Sequence, residues 1–189
     1  MTKKILLAGL LGGLAMFVWS SIAHMALPLG EAGISQMEDE KPVLDALKAG
    51  VKDTPGLYIF PAMPKGMSET QYTEKLAAMP SGILLYSRAG AQALTPRQLV
   101  VEFLVECLEA LLLAFLLTRT NLTGFGPQFG FVLAASLMAT IWTNTSYLNW
   151  YNFPATYTMA YWFTEFAGLL LAGLVVMKIV GGKIKTGHA

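Results

Sequence analysis

Residues 5–27 read ILLAGLLGGLAMFVWSSIAHMAL, a run without a single Asp, Glu, Lys or Arg, and Pro28 follows it. An α-helix rises about 1.5 Å per residue, so about 20 apolar residues cross the hydrocarbon core of a bilayer. The run therefore predicts a membrane-spanning helix. The competing interpretation is a cleaved signal peptide, with Lys3 and Lys4 as its charged start and Ser21-Ile22-Ala23 as its cleavage site. The length of the apolar run favours the retained helix.

Three further apolar runs follow along the chain. The second extends from Leu99 to Thr118, and Thr95-Pro96-Arg97-Gln98 before it forms a capping box with proline at the first helical position. The third extends from about Gln128 to Tyr147, after the breaker Gly126-Pro127, and the fourth from about Ala155 to Val180. We therefore predict an all-α membrane protein with four transmembrane helices.

The composition supports a membrane protein and excludes several function classes. Hydrophobic residues make up 54% of the chain and charged residues 13%, whereas soluble domains carry about 25% charged residues. The formal net charge of +1 gives no bias towards nucleic acid. Cys107 is the one cysteine, so neither a disulfide within the chain nor a paired-cysteine metal site is possible. The same count excludes the four-helix thiol-oxidising membrane enzymes.

The distribution of Lys and Arg predicts the orientation. The basic residues of the chain ends and short connections all fall on one side, which the positive-inside rule makes cytoplasmic: Lys3, Lys4, Arg119, Lys178, Lys183 and Lys185. The opposite side carries the long segment between the first two helices and the uncharged loop Leu148 to Pro154. Both termini are therefore predicted to be cytoplasmic, and the short loops favour a bacterial inner membrane.

The predicted domain organisation follows from these spans. It comprises transmembrane helix 1 (residues 1–28), an extracytoplasmic segment (29–95), transmembrane helices 2–4 (96–182) and a cytoplasmic tail (183–189). Turn residues and short apolar runs make the extracytoplasmic segment a small α/β unit. Its predicted elements are helices at Pro42–Ala49 and Ser68–Met79 and strands at Leu57–Phe60 and Ile83–Tyr86.

Four acidic residues lie inside the predicted spans, where each costs at least about 2.5 kcal/mol and rarely faces lipid. Glu102, Glu106 and Glu109 are spaced four and three apart, so they share one face of the second helix. Glu109 and Glu165 both lie about 15 Å inside their helices and are expected to face each other near the midplane. His24 in the first helix is predicted to be level with Glu102.

Other polar residues extend this pattern to all four helices. Asn144, with Thr140 and Thr143, lies in the outer half of the third helix. Carboxyl groups without a countercharge in a low-dielectric medium favour the neutral form, which can donate a hydrogen bond. The stripe could relay protons or bind a cation, or it could be interhelical hydrogen-bond glue or a contact with another subunit. Gly9 and Gly13 form a smooth face suited either to internal packing or to dimerisation.

The layout of a long first outer loop, a short second one and four helices resembles the claudin-like tetraspan proteins in topology. The tryptophan and paired-cysteine signature of that family's first loop is missing, so no residue and no function is carried over. The leading hypothesis is a non-enzymatic accessory or scaffolding subunit of a larger membrane complex, or a homo-oligomer. The alternatives are a small proton- or cation-coupled transporter and a metal- or quinone-dependent redox protein using His24, Glu102 and Glu106. The sequence identifies no cofactor, and the binding of a metal or a quinone is left open.

Overall fold

A computed structural model describes residues 2–181, which are mostly helical. The elements are α1 (Thr2–Met25), α2 (Glu40–Gly50), β1 (Gly56–Phe60), α3 (Glu69–Ala78), β2 (Gly82–Tyr86), α4 (Pro96–Thr118), α5 (Phe125–Tyr151) and α6 (Ala155–Val180). They divide into a helical bundle, residues 2–34 and 94–181, and an inserted unit, residues 35–93. The predicted cytoplasmic tail, with Lys183 and Lys185, lies outside the described residues.

Helices α1, α5 and α6 are long and apolar enough to cross a membrane. Helix α4 has 23 residues, a length comparable with α1, but three glutamates interrupt its apolar sequence. Large apolar side chains nevertheless remain exposed along it, among them Leu104, Leu108 and Leu112. The membrane class of the protein is thus supported by three helices, and the fourth span stays a prediction.

Helix α1 packs against both α4 and α6. Its glycine face lies against α4: a Cβ atom at Gly9 would lie 2.9 Å from Leu111 Cβ, and one at Gly13 would lie 2.5 Å from Cys107 Cα. Both distances are too short for any side chain, so the two backbones approach only because glycine stands there. The Gly9/Gly13 face is therefore covered within the chain.

The larger apolar cluster lies at one end of the bundle, and a smaller one, of Met16, Ala110, Leu169 and Ala172, lies nearer its middle. We call the end with Thr2 and Val180 the terminal end, and the end with the α5–α6 loop, residues 152–154, the loop end. All four long helices contribute to the core near the terminal end, with Ala8, Leu113, Ala114, Leu117, Val132, Val176, Met177 and Val180 buried. The loop half is held differently, and it contains most of the buried polar residues.

Helix α5 begins and ends outside its predicted bounds. Pro127 was expected to precede the helix, but α5 begins at Phe125 and takes the proline into its first turn. Proline is tolerated there because the first N–H groups of a helix have no intrahelical acceptor. The helix also continues past Tyr147 to Tyr151 and ends at Asn152, which adopts the left-handed conformation with φ of 55°. The α5–α6 loop is therefore shorter than predicted.

The inserted unit confirms the predicted mixture of short helices and strands. β1 and β2 pair in antiparallel register, with Gly56 opposite Tyr86 and Phe60 opposite Gly82. Helix α3 begins with the predicted capping box: Gln71 N donates to Ser68 Oγ at 3.3 Å, and Ser68 N donates to Gln71 Oε1 at 3.0 Å. Reciprocal bonds of this kind satisfy two backbone donors at the start of the helix.

Ser68→Ala removes one half of this capping box. We expect it to destabilise α3 by about 1 kcal/mol, because the Gln71 N–H then loses its acceptor. Amide hydrogen exchange of α3 in the full chain should accelerate about five-fold, because a loss of about 1 kcal/mol raises the population of the locally opened helix by that factor. Ser87→Ala, at an exposed position outside the helices, is the control and should change nothing. Equal exchange in both variants would show that the box does not stabilise α3.

Candidate functional site

The candidate site is a group of polar side chains in the loop half of the bundle, and Glu106 of α4 is its most buried acid. Only 2% of Glu106 is exposed. The hydroxyl of Ser20, from α1, donates to Glu106 Oε1 at 2.8 Å. The second carboxyl oxygen, Oε2, is buried and has no hydrogen-bond partner among the described residues. Such oxygens are rare in folded proteins, because losing water without a replacement partner costs about 1–3 kcal/mol.

A second acid–amide pair joins α5 and α6. Asn144 Nδ2 donates to Glu165 Oε2 at 2.7 Å, and Asn144 is only 6% exposed. The carboxyl groups of Glu109 and Glu102 lie close enough to interact electrostatically with Glu165. Acids of α4 and α6 therefore lie within electrostatic range of each other, and the face-to-face position expected for Glu109 and Glu165 near the midplane stays a prediction.

The acidic stripe of α4 is divided between different surroundings. Glu106 points to α1, Glu109 is half-buried, and Glu102 is exposed. Both Glu102 and Glu109 also interact electrostatically with Glu106. Within residues 2–181 the one ion pair is Lys41–Asp45, in the inserted unit. Within residues 2–181, no Lys or Arg forms an ion pair with an acid of the bundle.

His24 stands apart from the acids. Its ring is exposed, packs edge-to-face with Tyr161 at 6.0 Å between centroids, and lies against Gly30 in a short 3-10 helix. Within residues 2–181 no ion pair joins His24 to Glu102, and their level position stays a prediction. Among residues 2–181, no three His, Cys, Asp or Glu side chains are grouped closely enough to hold a metal ion. The geometry thus offers nothing in favour of a metal site at His24.

Aromatic rings continue from His24 across the loop end. Tyr161 stacks on Tyr157 at 4.5 Å, Tyr157 contacts Phe153 at 5.4 Å, and Phe153 stacks on Tyr147 at 5.2 Å. The row joins α6, the α5–α6 loop and α5. Tyrosine rings with one polar and one apolar end are typical of the interface between membrane and water. A row of this composition at the loop end is typical of such an interface.

Sequence reasoning missed several buried polar residues. Helix α5 buries a residue at every fourth position, a face that includes Gln128, Ser136, Thr140 and Asn144. Ser136 Oγ is buried without a partner among the described residues. Thr143, which was grouped with Thr140, is exposed. The four-residue spacing of Gln128 and Ser136 from Thr140 and Asn144 could have predicted that they are buried on the same face. No sequence pattern pointed to Ser20, because serine is common in membrane helices.

Comparison with protein-family models, with curated proteins and with solved structures found no match for this chain.

The chemistry of the site is that of carboxyl groups in water-poor surroundings. A carboxyl oxygen without a partner can accept a proton or contact a cation, and either event supplies the missing interaction. A neutral carboxyl can also donate a hydrogen bond, so neighbouring acids can pass a proton between them. The surroundings of Glu106, Glu109 and Glu165 suit reversible uptake of a proton.

Proposed function

We propose that the chain is a four-span integral membrane protein that takes up protons at its intramembrane carboxyl groups and moves them across the membrane. In this proposal α4 is the fourth span, both termini are cytoplasmic, and the inserted unit is extracytoplasmic. The clustering of Lys and Arg near the terminal end supports that orientation. A bacterial inner membrane suits the short loops.

The observation that carries the proposal is the buried Oε2 of Glu106, which has no hydrogen-bond partner within residues 2–181. Ionisable groups inside membrane spans are costly and mark functional sites by default, because a purely structural role is met more cheaply by an amide or a hydroxyl. Asn144 is an amide in such a structural role, because its Nδ2 donates a hydrogen bond to Glu165. Among the described residues, Oε2 of Glu106 has no such hydrogen bond. This environment suits a carboxyl oxygen that binds and releases a proton.

The position of the cluster gives the proposed path a direction. The carboxyl groups extend from the loop end, at Glu102, to the middle of the bundle, at Glu109 and Glu165, so protons enter from the extracytoplasmic side. The apolar core at the terminal end closes the other half, with Val132 lying between Ser136 and Gln128 on the buried face of α5. Movement to the cytoplasm therefore requires these helices to separate at the terminal end, a gating step of the kind that transporters use.

The test is proton flux in liposomes that contain the purified full chain and a pH-sensitive dye, with an imposed membrane potential. Glu109→Gln and Glu165→Gln should each abolish the flux, because an amide of the same shape cannot carry a proton. Glu74→Gln, in exposed α3, makes the same change of charge outside the bundle and should leave the flux unchanged. Flux that persists in both bundle variants would remove these residues from the mechanism.

A second candidate function, an accessory subunit of a membrane complex, is favoured by one observation. Glu102 is exposed on α4 beside exposed Val101 and Val105, and a charge on an apolar helix face is suited to a polar or cationic group on another subunit. Purification in a mild detergent with mass determination tests it. A stoichiometric partner that Glu102→Gln weakens supports the subunit, whereas a chain that runs alone contradicts it.

A further inference from the structure

A groove of about 470 Å³ lies between the start of α1 and the end of α4, at the terminal end and away from the carboxyl cluster. Its walls are apolar, formed by Ile5, Leu6, Leu111, Leu112 and Phe115, and Arg119 stands at one end of it. The volume falls within the range of about 300–1,000 Å³ that small-molecule sites occupy. A ligand that fits these walls is apolar over most of its length.

The charge at the mouth of the groove is positive. The Arg119 guanidinium lies 4.7 Å from the centre of the Phe115 ring, which holds it over the apolar wall. Within the part of the chain that the structure describes, Arg119 forms no ion pair. Lys3 and Lys4 are exposed in the first turn of α1, whose Thr2 lines the same groove. No Asp or Glu occurs among residues 2–30 or 110–164 to neutralise them.

We propose that this groove binds one molecule of an anionic phospholipid, with an acyl chain along the apolar wall and its phosphate at Arg119. A guanidinium forms paired hydrogen bonds with phosphate oxygens, and basic pockets between membrane helices at the cytoplasmic face bind acidic headgroups in this way. Lys3 and Lys4 add attraction for a headgroup with net negative charge, which separates anionic lipids from zwitterionic ones. The proposal does not depend on the proton pathway.

The experiment is lipid analysis of the full chain purified in mild detergent from membranes of known phospholipid composition. We expect about one anionic phospholipid per chain to remain bound, a clear enrichment over the bulk membrane. Arg119→Gln should reduce the retained anionic lipid at least about five-fold, since it removes a charge-assisted bond. Arg97→Gln, at the opposite end of the same helix and outside the groove, is the matched control and should retain it.

A second variant separates headgroup binding from general damage to the fold. Leu6 is exposed in the groove wall, so Leu6→Trp should fill the groove and displace the lipid without disturbing the core. Re-addition of phosphatidylglycerol should raise the Tm of the delipidated wild type and not that of Arg119→Gln, while phosphatidylcholine should raise neither. Retained lipid that mirrors the bulk composition, or that is equal in wild type and Arg119→Gln, would overturn the proposal.

Discussion

Replacing Glu106 by glutamine should stop proton movement through the reconstituted protein while leaving the bundle folded. Glu106→Gln keeps the shape of the side chain and an oxygen that accepts the Ser20 hydroxyl bond, so helix packing should survive. It removes the group that can be protonated at the buried Oε2 position. Loss of a positioned proton-transfer group commonly lowers a rate by about 100-fold or more. Dye-reported flux in liposomes should fall to the level of protein-free liposomes.

The control for Glu106→Gln is Ser20→Ala, which removes the donor and keeps the acid. We expect flux to change in Ser20→Ala but not to vanish, because the carboxyl group is still present. Circular dichroism and gel filtration in detergent should show both variants folded. If Glu106→Gln transports protons as fast as the wild type, Glu106 is a structural residue and the carboxyl pathway must be redrawn.

Replacing Gly13 by leucine should separate α1 from α4. A Cβ at Gly13 would lie 2.5 Å from Cys107 Cα and 2.6 Å from Cys107 N, so the obstacle is backbone and not a movable side chain. Forced overpacking typically costs about 1–3 kcal/mol, and a backbone clash belongs at or above the upper end of that range. Thermal unfolding in detergent should show a strongly lowered Tm for Gly13→Leu, or aggregated protein.

Gly130→Leu is the matched control for this change. Gly130 lies in α5, another membrane helix, and a Cβ there meets nothing within 4 Å. Its leucine should be accommodated at the bundle surface with little change in Tm. If Gly13→Leu is as stable as Gly130→Leu, then α1 and α4 do not pack through the Gly9/Gly13 face. That face would then be free for a second copy of the chain.

The helices and strands were largely predictable because Pro, Gly and capping residues stand at their ends in the sequence. The bounds of α6 coincide with the prediction, since Pro154 precedes it and Gly181 follows it. The capping box at Thr95 likewise opens α4 as predicted. The start of α5 was misjudged because Pro127 acts as a breaker inside a helix but is compatible with its first turn. Position within the helix, and not residue type, decided the outcome.

The candidate site was predictable only in part, for a geometric reason. Helical spacing places Glu102, Glu106 and Glu109 on one face, but the rotation of α4 about its axis decides what each one meets. That rotation depends on the close fit of the α1 glycines against α4, a property of two helices together. The sequence therefore located the acids on α4. It could not predict that Ser20 donates a hydrogen bond to Glu106, or that Glu102 is exposed.

The most direct test of the central claim is infrared difference spectroscopy of the full chain in lipid during a change of pH. The account predicts a carboxyl C=O band in the wild type that appears and disappears reversibly and is absent from Glu106→Gln. Glu74→Gln should leave that band in place. Identical spectra for the wild type and Glu106→Gln would mean that Glu106 does not exchange protons, and this result would contradict the proposed proton uptake at the buried carboxyl.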